Sequence, residues 1–287
     1  MSVAAAGGSE ARTARTERLH LLRRSPGVLI GAGVLLFWVT CAILGKHITP
    51  YDPIYHQSPD VFAHPSTAHW FGTDRLGRDV FSRVLAGSRD ILLVAPVATL
   101  LGTVLGTALG LITGYMRGIV DDVVSRIIDA VLALPLIIIA VTAIAALGTR
   151  SAWAVAVVIG LVFTPIIART VRAAVLAERE QDYIQAAQLR GERAPYIMFA
   201  EVLPNVMPLV LVEATVRLGY AIFAVASLTF IGFGIQVPSP DWAVQIADNY
   251  TYVDPDWWTV LFPAAAIASL VVAVNLVSDG IQQAYER

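Results

Sequence analysis

The stretch Ile91–Tyr115, ILLVAPVATLLGTVLGTALGLITGY, runs for 25 residues without a charge. About 20 apolar residues wound as a helix cover the hydrocarbon core of a bilayer. Inside lipid no water satisfies backbone N–H and C=O groups, so a spanning segment must close its hydrogen bonds within itself, and a run of this kind reads as a helix. Five further runs lie around it: Pro26–Leu44, Ala130–Thr149, Ser151–Ala168, Val206–Phe233 and Trp257–Ser278. Only Val206–Phe233 holds charges, Glu213 and Arg217. The pattern predicts an all-α integral membrane protein with six transmembrane helices. Ala130–Thr149 and Ser151–Ala168 follow one another so closely that they read as a tight hairpin. Pro96, Pro135, Pro165, Pro208 and Pro263 fall in or beside these runs and predict kinks, because proline removes a donor and crowds the preceding turn.

Composition agrees. Of the 287 residues, 56% are hydrophobic and 15% charged, with a mean hydropathy of +0.67. Soluble domains carry roughly 25% charged residues, so a soluble enzyme is disfavoured, and so is a disordered chain. One cysteine, Cys41, excludes an internal disulfide and a cysteine-based metal cage. A net charge of −2 gives no electrostatic footprint for nucleic acid. No metal site is expected.

Orientation follows from the Lys/Arg bias of the loops. With the N-terminal tail inside, the inner segments hold 13 basic residues and the outer segments six. The last outer loop, Ile235–Asp256, has four Asp and no Lys or Arg. The chain therefore reads as N-in, C-in. Its parts are a cytoplasmic tail (1–25), a first span (26–45), an extracytoplasmic segment (46–90), a five-helix core (91–280) with an inner loop over 169–205, and a cytoplasmic end (281–287). Trp242, Trp257 and Trp258 are expected at the outer surface as interface anchors. A cleaved signal peptide is disfavoured, since the first run is too long and no small-x-small site follows it.

Two segments exceed mere connection. In 46–90, Gly72 and Gly77 bracket a turn, and Asp79 is placed to start a short helix whose Val80, Phe81, Val84 and Leu85 lie along the membrane. Two readings stay open for this segment, docking of a partner or a fold-back over helix ends. In 169–205, Glu178, Glu180 and Asp182 gather at the expected start of a helix, where acids favour the dipole. Tyr183, Ile184, Gln185, Ala186, Ala187 and Leu189 continue it, and Gly191 supplies a left-handed stop. A second short helix runs from Pro195 to Leu203-Pro204-Asn205. This amphipathic helix–Gly–helix, with small residues that permit close approach, favours partner binding.

Within the spans, Gly102, Gly106, Gly110 and Gly114 align on one helix face and favour close helix packing over a pore stripe. Glu213 and Arg217, spaced i, i+4, can pair. Intramembrane charges usually face a bundle interior or a water path. A conduit role and a structural pair both remain open. There is no catalytic constellation: no His lies in any span, and Asp129 and Asp279 sit singly at helix ends, against an intramembrane hydrolase. A secondary transporter would carry inverted, broken-helix halves, and none is evident. No G-x-x-x-x-G-K-[ST] loop is present, so no ATP site is expected here.

Four blocks then resemble one family in order. Ala186-Ala187-Gln188-Leu189-Arg190-Gly191 with Leu203-Pro204-Asn205 resembles the "EAA" loop of ABC-importer permeases. Trp70–Arg83 resembles the F-G-T-D-x-x-G-R-D-x-x-S-R signature of the C-type subunit in dipeptide and oligopeptide permeases. Ser227–Gly234 followed by Pro238–Trp242 is similar to that family's S-L-S-F-L-G-L-G and P-x-P-x-W stretch. Phe262-Pro263 and Asn275–Gly280 continue the likeness, which covers residues 24 to 284. Two positions depart from the pattern: Gln185 stands where the family has Glu, and Glu201 where it often has His.

The resemblance implies a type I ABC importer permease of MetI-like fold, forming half of a translocation pathway. It implies a homologous B-type permease, one or two ATPase subunits that bind ATP and Mg, an extracytoplasmic substrate-binding protein, and surrounding lipid in a bacterial or archaeal plasma membrane. The cargo implied is a dipeptide or oligopeptide, with nickel or another small ligand as the alternative. The ATPase-coupling residues would be Tyr183, Ile184, Gln185, Ala186, Ala187, Leu189, Gly191, Pro204 and Asn205. Pathway residues would include Glu213 and Arg217, and outer docking residues Asp74, Arg78, Asp79, Asp241 and Trp242.

Overall fold

The computed structural model describes residues 25–149 and 151–286. Nearly all of the expected tail over 1–25, together with Arg150 and Arg287, lies outside them. The described helices are α1 (Pro26–Ile48), α2 (Val80–Met116), α3 (Ile119–Leu132), α4 (Leu136–Leu147), α5 (Ala152–Arg179), α6 (Asp182–Leu189), α7 (Ala194–Phe230), α8 (Trp242–Asn249) and α9 (Trp258–Glu286). Five of these, α1, α2, α5, α7 and α9, are long and apolar enough to cross a membrane. The protein is all-α among the described residues, with a lone β-bridge between Thr73 and Asp79.

The third expected run is not one straight helix. It divides at Ala133–Pro135 into α3 and α4, which meet at 94°. Pro135 has no N–H and pushes Leu134 out of helical geometry. Leu134 N–H instead closes a tight turn on the Val131 carbonyl, and α4 restarts beyond the proline. The other four prolines sit inside helices that continue through them. Whether a break follows depends on whether neighbours hold the helix together, which the residue alone does not dictate.

The glycine row explains how the bundle is wound. A Cβ on Gly102 would stand 2.9 Å from the Gly160 carbonyl; on Gly106, 2.6 Å from Ile167 Cβ; on Gly110, 2.7 Å from the Ala168 carbonyl; and on Gly114, 2.8 Å from Val175 Cβ. All four glycines therefore press α2 backbone against α5, so the row is a packing seam. The contacted positions rise in step along both helices, so α2 and α5 run parallel. The chain must return the length of the bundle between them, and α3 with α4 makes that return. At about 1.5 Å per residue the 12 residues of α4 reach only ~18 Å, short of a bilayer core by themselves.

Where α2 begins, the long loop and the α7–α9 connection close over one another. Asp79 caps α2, accepting from Ser82 N–H at 2.7 Å. It thus starts the 37-residue α2, not the separate surface helix expected, and Val80, Val84 and Leu85 point into the core. Trp242 and Trp258 are fully buried, so neither is an interface anchor. Their indole N–H groups donate to the Val84 carbonyl (2.7 Å) and the Thr73 carbonyl (3.2 Å). Trp257 remains half exposed.

Candidate functional site

At the opposite end of α2, the segment after α5 folds into an elbow. α5 extends to Arg179, well past its expected end. Glu178 therefore lies in the last turn of α5 and Glu180 caps it, so only Asp182 occupies a helix first turn. Acids at a helix C-terminus oppose the dipole. Here they are compensated, because Arg117 pairs with Glu180 and the Tyr183 hydroxyl donates to Glu178. Burial and the Glu178 contact push the Tyr183 phenol up to about 12. Asn205 Nδ2 donates to Tyr183 Oη at 2.8 Å and to the Glu201 carbonyl at 2.7 Å. Tyr183 and Asn205 thus pin α6 to α7.

α6 ends in a Schellman turn. Glu192 N–H reaches the Ala187 carbonyl (3.2 Å) and Gly191 N–H the Gln188 carbonyl (2.9 Å), with Gly191 at φ +76°. Space is open around Gly191, so the glycine is needed for its backbone angle alone. The following helix does not stop at Leu203-Pro204-Asn205. It continues through a π-helical stretch, Ile197–Val202, into α7 as one 37-residue rod. Pro204 sits early in the Leu203–Phe230 stretch, where the wider π turn precedes it. The elbow is therefore joined to Phe230 by continuous helix.

Of the expected coupling residues, Ile184 and Ala187 are fully buried and hold α6 to the bundle. The two adjacent alanines do not share a face: Ala187 points in and Ala186 out. Leu189 is 90% exposed. Two further exposed aromatics, Tyr196 and Phe199, lie on the helix that follows Gly191. A hollow of about 480 Å³ opens next to Leu189, flanked by Arg117, Arg179 and Glu180. Gln185 Nε2 donates to the Glu180 carbonyl at 3.2 Å, a bond that a carboxylate in its place could not make.

The intramembrane pair is formed. Arg217 Nε lies 2.7 Å from Glu213 Oε1, and both side chains are more than four-fifths buried. The guanidinium also stands 5.4 Å from the Tyr220 ring centre. Arg217, Tyr220 and Ser227 edge a groove of about 250 Å³ between α4, α5 and α7, otherwise lined by apolar residues such as Ile137, Phe163 and Phe223. A second ion pair was missed by sequence reading. Arg172 on α5 grips Asp121 on α3 through Nε and Nη2 at 2.5 and 2.7 Å. Nothing in the spacing of these two residues, 51 apart, announces it.

The expected docking residues require correction. Asp74, Arg78, Asp79, Asp241 and Trp242 are buried in the chain's own loop cap and offer no surface to a partner. Asp74 accepts from Arg78 Nε at 2.7 Å and lies 3.8 Å from Arg83 Nε. Arg78 also reaches Asp248 at 3.0 Å, and Arg83 donates to the Pro53 and Ser239 carbonyls. Asp241 caps α8 through Ala243 and Val244 N–H. Burial, with Asp90 nearby, raises its carboxyl to about 7. These residues fold the segment back over the helix ends, while Tyr55, Val61 and Trp70 of the same segment remain exposed. Buried charges are stable only when paired and bonded, which is why these motif residues turn inward. Among the described residues no group of three His, Cys, Asp or Glu side chains is placed to hold a metal ion.

Residues 106–287 match the family described as binding-protein-dependent transport system inner membrane component. The dipeptide transport system permease protein DppC of Escherichia coli K12 is 38% identical over 273 residues, 93% of this chain and 91% of that protein. The glutathione transport system permease protein GsiD of Salmonella typhimurium is 37% identical over 276 residues, 96% and 91% of the two chains. DppC of Alkalihalophilus pseudofirmus is 34% identical over 94% of this chain and 88% of its own. A solved structure of the MetNI methionine ABC transporter in inward-facing conformations shares the fold, with a TM-score of 0.59 at 22% identity over 71% of this chain and 97% of the other. With the family match spanning more than half of the sequence and relatives aligned over nearly all of it, this chain belongs to the binding-protein-dependent transport system inner membrane components, as a transmembrane permease of the ABC-importer type.

Proposed function

We propose that this chain is the C-type permease subunit of an ATP-driven importer of short peptides in a bacterial plasma membrane. It pairs with a homologous B-type permease to enclose the pathway and receives cargo from an extracytoplasmic binding protein. ATP and Mg are bound by separate ATPase subunits. The relatives named for dipeptide and glutathione transport favour short peptides over nickel.

The observation that carries this reading is the elbow. Ile184 and Ala187 anchor α6 from within, while Leu189, Tyr196 and Phe199 present apolar surface outward. Exposed apolar side chains on the two helices of this elbow suit a groove on a motor subunit. Closure of the ATPases would move α6, and the continuous α7 would transmit that movement to the groove beside Arg217. The elbow then faces the cytoplasm and the loop cap faces outward, the N-in, C-in arrangement. Two global states biased by nucleotide are the physical content of alternating access.

The test replaces Leu189 with Asp in the assembled transporter. The variant should reach the membrane normally but lose co-purification with the ATPase and lose uptake. Full ATPase recovery and normal peptide uptake in Leu189→Asp would remove the elbow from the mechanism. Glu213 and Arg217 are proposed to line the conduit, where they can meet a zwitterionic peptide. Replacing both with Ala should slow uptake with membrane insertion intact, and unchanged uptake would make them a structural pair.

A further inference from the structure

A groove between α1 and α2 changes chemistry along its length. At the loop end, a hollow of about 420 Å³ is bounded by Pro53 and Ser239 of the two loops and by His47, Arg89 and Asp90. A second hollow of about 560 Å³ shares Ile43 and Arg89 with the first and continues between Val39, Leu92 and Leu93. Among the described residues, Arg89 is the single charged one lining that second hollow. A polar mouth thus leads into an apolar trough, with one guanidinium at the junction.

Arg89 is exposed and, among the described residues, no carboxylate pairs with it. The adjacent Asp90 is committed elsewhere, since its Oδ2 accepts from the Ser239 hydroxyl at 2.7 Å. Arg89 lies nine residues into α2, about 14 Å below its first residue at 1.5 Å per residue. That places an unpaired cation near the upper boundary of a membrane-spanning helix, where it calls for an anion. None of these residues lines the groove beside Arg217, which is built from α4, α5 and α7.

We propose that the α1–α2 groove is a binding site for an anionic phospholipid. Its phosphate oxygens would pair with Arg89, with His47 beside the mouth. One acyl chain would lie along Val39, Ile43, Leu92 and Leu93. The order of chemistry decides the occupant: a phospholipid joins an anionic head to an apolar tail in the sequence the groove presents. A planar, multi-donor guanidinium is also well matched to a phosphate.

The test is native mass spectrometry of the purified transporter complex, offered phosphatidylglycerol and phosphatidylcholine at equal concentration. The unmodified complex should retain phosphatidylglycerol preferentially. Arg89→Gln should cut that preference about tenfold. Arg126→Gln, on an exposed arginine of α3, should leave it unchanged. Leu93→Trp, which fills the trough, should reduce retention of both lipids. Equal retention of the two lipids by the unmodified complex would overturn the proposal, as would an undiminished preference in Arg89→Gln. A cysteine at position 93 that cross-links to the second permease subunit in membranes would also overturn it, assigning the groove to a protein interface.

Discussion

At the loop end, Asp74, Arg78, Arg83 and Asp248 find their partners inside the chain, whereas at the elbow Leu189, Tyr196 and Phe199 face outward. Both regions carry motifs of comparable length. One uses charge to seal; the other leaves apolar side chains uncovered. Charged residues in a motif are thus no guide to an exposed surface. A buried guanidinium is tolerable only because carboxylates and carbonyls surround it, so such residues are found where the chain closes on itself. Apolar residues left in water mark where something else must dock.

The contrast can be broken most forcefully at Asp74. Asp74→Ala removes the carboxylate shared by two buried guanidinium groups, leaving Arg78 with Asp248 and Arg83 with carbonyls alone, and removing one partner of a buried pair costs about 3–5 kcal/mol. Thermal unfolding in nanodiscs should drop by many degrees, and an unchanged melting point would deny the cap its structural role. Gly106→Leu comes next. Its Cβ alone would meet Ile167 Cβ at 2.6 Å, and overpacking of this kind costs about 1–3 kcal/mol. The same melt, compared with Gly33→Leu where no atom lies within 4 Å, isolates the seam.

Asp241 gives the cap a pH signature. Its folded carboxyl titrates near 7, far above the ordinary 3.8. Between those values the folded state holds a proton that the unfolded state has released, so stability is greatest in acid and falls as pH rises toward about 7, then levels. Asp241→Asn, which can still cap α8, should flatten that slope in pH-dependent melts. A slope that persists in the variant would place its origin elsewhere. Gly191→Ala should cost about 1 kcal/mol through its positive φ, with no steric component. The smallest stability effect belongs to Leu189→Asp, within about 0.5 kcal/mol, because the side chain is almost wholly in water. A large loss of stability there would erase the distinction between the two ends.

The apolar runs, the left-handed stop at Gly191, the glycine row and the Glu213–Arg217 pair were all legible from residue type and spacing, because each is set by the periodicity of one helix or by one backbone angle; which helix the glycines meet was not. The break at Pro135 was not, since four other prolines in similar runs leave their helices intact. The inward turn of Asp74, Arg78, Asp79 and Asp241 was read the wrong way, as a docking surface. Arg78 finds Asp248 170 residues away along the chain, and the neighbouring Arg83 reaches Ser239 across 156. Tyr196 and Phe199 were overlooked because an aromatic on a helix gives no sign of whether a neighbour covers it.

By itself the sequence determined that this chain lives in a membrane as a set of helices, because hydrophobic length and backbone hydrogen bonding in lipid leave no other solution. It also determined which family those helices belong to, through four ordered motifs. Only the tertiary structure decided which motif residues look inward and which look out. That choice depends on the desolvation of each charge against partners that meet only when distant segments fold together.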